Sequence, residues 1–243
     1  MKFEICCKIT DAKEYNQFCC FENSIYTLRI SKNFKYWYYD LCDLIDFYAD
    51  TNISLKLDVC EKDIKLARKL YGSHKYNEPV LREYESKVMT HSTTFDNSLK
   101  IIKENAIKSW NILNEENKDW EKCPIGSLLG DIEDFSNYVM LSLFAQNNEI
   151  ITASRQKNKI DIDVNQKYTA GARFYLDAEK LAKDRLLLRD GEHIKVKNSI
   201  FLDKYLIWYA TAERVGTEKI TTPKMFFENS NKAFLNLFSE YKK

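Results

Sequence analysis

The chain has 243 residues, enough for one large domain or two small ones; 44% are hydrophobic and 30% charged, and no stretch approaches the ~18 apolar residues of a membrane span, so a folded protein in water is expected. Lys plus Arg (37) almost balance Asp plus Glu (36), which excludes a global field drawing in nucleic acid or anionic membrane and leaves only a local basic groove possible. With 6 Gly, 3 Pro and neither GxGxxG nor GxxxxGK[ST], Rossmann and P-loop readings lose their main support.

The opening MKFEICCKIT lacks the apolar core and small-residue cleavage site of a secretory signal, so no export is expected. Seven cysteines without CxxC spacing, and three scattered histidines, argue against a metal site and for reduced, mostly buried thiols in a cytoplasmic setting. Residues 2–9 and 24–30 alternate as strands, residues 36–48 carry helical spacing, residues 53–59 alternate again, and Glu61–Tyr71 reads as an amphipathic helix stopped by Gly72. This β-β-α-β-α order defines a small N-terminal α/β subdomain, expected at 1–78. The turn-rich GSHKYNEP that follows divides it from a second domain, expected at 79–243.

In the second part, residues 84–90 form a short strand leading into His91, and a helix over residues 96–106 takes Thr94 or Asp96 as its cap. Further strands are expected at residues 138–144, 149–153 and 172–176, with Ala178–Lys183 a short helix capped by Asp177. Asp190-Gly191 marks a hairpin, and residues 205–210 form a buried strand or helix. Residues 219–227 read as a last strand with Pro223 inside it, followed by an amphipathic helix over residues 231–241.

Chemistry concentrates in residues 91–110, HSTTFDNSLKIIKENAIKSW. On an extended chain His91 and Thr93 point to one side. An imidazole and a hydroxyl there suit a ribose diol or an amide, the helix start beyond them favours phosphate, and Asn97 is placed to buttress the loop. The competing reading makes His91 and Thr93 mere strand-end hydrogen bonders and packs Ile101, Ile102 and Ile107 as core.

The order His91-x-Thr93-x-x-x-Asn97, followed by Ile101, Ile102, Ile107 and Ser109, resembles the opening NAD-binding motif of ADP-ribosyltransferases, especially the DarT-like group that modifies DNA, and more distantly the RNA 2′-phosphotransferases. Where that family usually has Gly-Leu or Gly-Ile, this chain has Asn105-Ala106-Ile107, and Asn is the residue best able to take glycine's left-handed conformation. The resemblance is close over about twenty residues. It implies an α+β fold with a mixed or antiparallel split sheet, NAD as substrate, and transfer of ADP-ribose to a macromolecular acceptor, nucleic acid or protein, as in a toxin or phage-defence effector.

A late-chain Glu steadies the positive charge that develops on the sugar in such enzymes. Glu213, after YLIWYATA, is the first choice and Glu218 the second. Arg155, expected just after the strand at residues 149–153, is placed to pair bidentately with the NAD pyrophosphate, and Tyr168 or Tyr175 to stack on nicotinamide. Asp131 and Asp134 form a possible general-base pair, and Lys157, Lys159 and Lys167 a possible acceptor groove. His74 and His193 are expected in solvent; there is no GxSxG, and Cys123 lacks a His or Asn framework. Two other functions fit: a non-enzymatic interaction module using Phe34, Tyr36, Trp37, Tyr38 and Tyr39, or an RNA-processing enzyme using His91 without NAD.

Overall fold

A computed structural model describes residues 4–22, 25–116, 133–144 and 147–241; Cys123, Asp131 and the side chain of Asp134 lie outside what it describes. The chain forms two compact units, one running up to Glu78 and also taking in Leu187–Ile194, the other holding the rest of the described residues.

The first unit is built on β1 (Glu4–Thr10), β2 (Gln17–Glu22), β3 (Ile25–Ser31), α1 (Trp37–Ala49), β4 (Ser54–Asp58) and α2 (Glu61–Tyr71). β1 runs parallel to both β3 and β4, β2 pairs antiparallel with β3, and the strand order is β2-β3-β1-β4. Ile5, Cys6 and Cys7 are buried in succession, the mark of a strand covered on both faces, and burial pushes the Cys7 thiol up to about 12. The expected β-β-α-β-α order missed β2, whose Phe18 is exposed. Trp37 and Tyr39 are buried with Leu41 and Phe47, Tyr36 and Tyr38 are half-buried and Phe34 is exposed, so the aromatic run is split between core and surface rather than set on one solvent face. Gly72 ends α2 at φ 60, as its position suggested. Beyond it, His74 is not simply solvated: Nδ1 meets Glu78 at 2.8 Å and Nε2 meets the Tyr39 hydroxyl at 3.0 Å.

The segment Leu187–Ile194 belongs with this unit rather than with the second domain expected to contain it. Gly191, at φ 89, lies against the Asp40 carbonyl where no Cβ fits, its own carbonyl accepts from Gln17 Nε2 at 2.5 Å, and the Glu192 carboxylate accepts from the Tyr26 hydroxyl at 2.7 Å.

The second unit begins with β5 (Val88–Thr93), α3 (Phe95–Glu104), β6 (Ala106–Lys108) and α4 (Trp110–Glu116). It continues through β7 (Tyr138–Leu141), α5 (Asn147–Lys157), β8 (Tyr168–Thr169), β9 (Ala172–Asp177) and α6 (Ala178–Lys183). After β10 (Leu188–Arg189) in the first unit come β11 (Ile194–Lys197), β12 (Ser199–Phe201), α7 (Leu202–Tyr205), β13 (Leu206–Thr211), β14 (Ile220–Thr221) and α8 (Pro223–Leu237). The central sheet is antiparallel with order β13-β9-β5, and short β6–β12 and β8–β14 pairs adjoin it. The molecule is therefore α+β.

Register fixes which side chains share a face. Thr93 lies opposite Ala172, itself opposite Thr211, and His91 lies opposite Phe174, itself opposite Tyr209. Ser92, Arg173 and Ala210 occupy the other face, where Val88, Tyr175, Ala210, Phe226 and Phe234 form the core. Tyr175 stacks on Phe234 with ring centres 4.2 Å apart.

Two expected strands are helices. Residues 149–153 lie inside α5, where Glu149, Thr152 and Ala153 are buried at helical spacing although Ile150, Ile151 and Thr152 are strand formers by propensity. In residues 219–227 only Ile220 and Thr221 are strand; Pro223 starts α8, and the Thr222 hydroxyl caps it by accepting from the Met225 amide at 3.2 Å.

Candidate functional site

β5 delivers the motif residues. Its VMTHST sequence alternates core-facing Val88 and Thr90 with Met89 and His91 on the other face, and after the strand ends at Thr93, Thr94, extended at φ −65, ψ 159, starts α3. The Thr94 side chain does not cap the helix, so its first amides are not satisfied by that hydroxyl. Gly171 lies so close to the Thr93 carbonyl that no larger residue fits, which packs the β9 entry against the strand-to-helix junction. At the far end of α3, Asn105 adopts φ 56, ψ 27, the left-handed conformation that often ends a helix. It also ties the helix end to a later segment: its Oδ1 accepts from the Asp203 amide at 3.1 Å and its carbonyl from the Leu202 amide at 2.9 Å.

His91 is half-buried, with Nδ1 3.1 Å from the Met140 carbonyl. A carbonyl only accepts, so Nδ1 carries the proton and Nε2 presents a lone pair. Burial first and the Arg155 charge second push its pKa below the usual histidine value, against the pull of the Met140 carbonyl, so the ring is neutral at neutral pH. Thr93, buried, shares the face of His91.

Arg155 lies in the last turn of α5, not after a strand. Its guanidinium is 5.3 Å from the Trp110 ring centre and half-buried, burial lowers its pKa, and it forms no ion pair among the described residues. A half-buried guanidinium without a carboxylate is suited to an anion brought from outside.

Glu213 and Glu218 are exposed in the turn beyond β13, which the Val215 amide closes onto the Thr211 carbonyl and the Thr217 amide onto that of Ala212. β5 and β13 run in the same direction with β9 between them, so Glu213 follows by two residues the row that contains Thr93. Neighbouring Arg214 and Lys219 are turned toward aromatic rings. Arg214 donates to the Tyr209 carbonyl at 2.9 Å and stacks 4.2 Å above its ring, while Lys219 sits 5.7 Å from the Phe95 ring centre. That last contact brings the loop after Glu213 alongside the start of α3.

The other candidate residues sit in varied surroundings. Tyr168 is 4% exposed and its hydroxyl donates to Glu149 at 3.1 Å, on the sheet face opposite His91; Tyr175 is fully buried on Phe234. Neither ring offers a platform for nicotinamide. Asn97 is half-exposed on the first turn of α3, and its amide makes no hydrogen bond to the loop among the described residues; Ser98 Oγ donates to the Phe95 carbonyl at 2.6 Å instead. Lys157 is held by Asp161 at 3.1 Å, leaving Lys159 and Lys167 of the proposed basic loop exposed. His193, part of the first unit, sits 3.5 Å from buried Asp190.

Sequence reasoning missed a buried polar group of the second unit centred on Glu149. Glu149, 1% exposed, accepts from Ser92 Oγ in a short hydrogen bond, from Tyr168, and from Arg173 Nη1 at 3.2 Å. Burial raises its pKa although all three neighbours oppose this. The usable signal was a carboxylate in an otherwise apolar stretch, hidden by taking that stretch for a strand. No group of metal-ligating side chains occurs among the described residues, and none of their helices is long and apolar enough to cross a membrane. Comparison of the chain with family models, curated proteins and solved structures found no match.

Proposed function

We propose that the second unit is an NAD-dependent ADP-ribosyltransferase of split-sheet type that modifies a macromolecular acceptor, nucleic acid or protein, as a toxin or defence effector would. The supporting observation is the junction of β5 with α3, where neutral His91 and Thr93 share one face and the open helix start follows directly. His91 Nε2 accepts a ribose hydroxyl of NAD, Thr93 supplies a second polar contact, and the α3 amides with Arg155 meet the pyrophosphate. As the bond from ribose to nicotinamide breaks, positive charge grows on the sugar; Glu213 stabilises it and orients the attacking group of the acceptor. Glu218, on the same turn, is the alternative carboxylate.

Saturating NAD is expected to raise the melting temperature of the wild-type chain and to have no such effect on His91→Ala. Glu213→Gln is expected to keep the shift while losing transfer of labelled ADP-ribose to a mixture of nucleic acid and protein acceptors. No NAD-induced shift in the wild type, together with RNA cleavage in NAD-free buffer, would replace this reading by the NAD-independent one.

A further inference from the structure

The first turn of α5 is fastened to β5 on both sides of His91. Asn148 Nδ2 donates to the Thr90 carbonyl at 3.0 Å, and its Oδ1 accepts from Ser142 Oγ at 2.6 Å, next to the bridge between Thr90 and Ser142. One residue on, Glu149 takes the short hydrogen bond from Ser92 Oγ. Ser92 stands between His91 and Thr93 but points to the opposite face, so holding it from behind fixes the direction in which its two neighbours project. The same helix carries Arg155 six residues further, about 9 Å along the axis.

Burying a Glu–Arg pair is a poor way to gain stability, because the desolvation of both charges cancels most of their attraction and an apolar pair of similar volume serves as well. Directional hydrogen bonds from Ser92 and Arg173 do what an apolar pair does not, which is to set the register of a helix against a strand. We propose that Ser92 and Glu149 are positioning residues that hold the Arg155 helix at a fixed distance from His91 and Thr93, so that the anion-binding and ribose-binding groups act on one ligand. The ligand named here rests on the NAD reading above; the geometric coupling of α5 to His91 does not.

Two measurements separate these levels. Without ligand, the titration of the His91 ring is followed by NMR in wild type, Ser92→Ala, Ser92→Thr and Tyr175→Phe. Tyr175→Phe removes a buried hydroxyl from the same sheet face, one that donates to Asn231 at 2.9 Å, and so serves as a control for general loosening. Among the groups acting on His91, Arg155 is the charged one, so slackening α5 is expected to raise the His91 pKa in Ser92→Ala, with Ser92→Thr and Tyr175→Phe unchanged. An unchanged His91 titration in Ser92→Ala, or an equal rise in Tyr175→Phe, would overturn the positioning role whatever NAD does. With NAD, the dissociation constant is expected to rise about tenfold in Ser92→Ala, to recover in Ser92→Thr, and to stay within about twofold in Tyr175→Phe. Wild type that shows the His91 coupling but binds no NAD would reject the transferase reading and leave the coupling standing. Equal NAD affinity in wild type and Ser92→Ala would reject the positioning role in ligand binding.

Discussion

His91 stays neutral in the folded chain where a histidine in the unfolded chain takes up a proton, and this has a definite sign. Its folded pKa lies below the ordinary value of about 6.5, so the unfolded state binds more protons through that window and stability falls as pH drops below about 6.5. His91→Gln is expected to flatten the dependence of urea-unfolding stability on pH between about 7 and 5. Glu149 acts with the opposite sign. Its folded pKa is raised, so the folded state binds more protons, and its contribution is lost as pH rises from the ordinary carboxylate value of about 4.3 through the folded one; Glu149→Gln removes that loss. At this scale the sequence was informative where chemistry is local. The same-side placement of His91 and Thr93 follows from strand geometry, and the left-handed Asn105 from its place after a helix. Tyr168 was misjudged because nothing near it in the chain announces Glu149, nineteen positions away and on a different element.

The ends of elements repay a closer test than their middles. Asn105→Ala forces a Cβ-bearing residue without a local hydrogen-bonding side chain into φ 56 and removes the acceptor for the Asp203 amide, so a loss of about 1–2 kcal/mol is expected in urea unfolding. Asn105→Gly relieves the backbone but also loses that acceptor, and should fall between wild type and the Ala variant. Thr222→Ala, which removes the α8 cap, is expected to lose about 1 kcal/mol. Pro223 illustrates why α8 was hard to read. Proline inside a strand pattern and proline at the first position of a helix look alike until the preceding Thr is recognised as a cap. In α5 the difficulty was propensity: consecutive β-branched residues were overruled by the tertiary contacts of Glu149, Thr152 and Ala153.

The whole chain is organised by a return that no local pattern reveals. The turn formers of GSHKYNEP are visible as punctuation at the position where the first run of the first unit stops at Glu78. The later stretch Leu187–Ile194 carries a readable hairpin dipeptide but no indication that its residues pack with the first unit, since that depends on partners more than a hundred and fifty positions away, Gln17 and Tyr26. The consequence is a unit made of discontinuous pieces, and its stability is open to a mutation far from its own strands. Glu192→Ala removes the carboxylate bonded to the buried Tyr26 hydroxyl, a change expected to cost about 1–3 kcal/mol. Amide hydrogen exchange reads where that cost falls. Faster exchange is expected across β1, β3 and β4, while β5, β9 and β13 keep their protection, because each sheet lies within one compact unit and compact units are the natural cooperative regions for opening. Equal acceleration in both sheets would mean that the chain unfolds as one cooperative body, and that Glu192 supports more of it than the first unit.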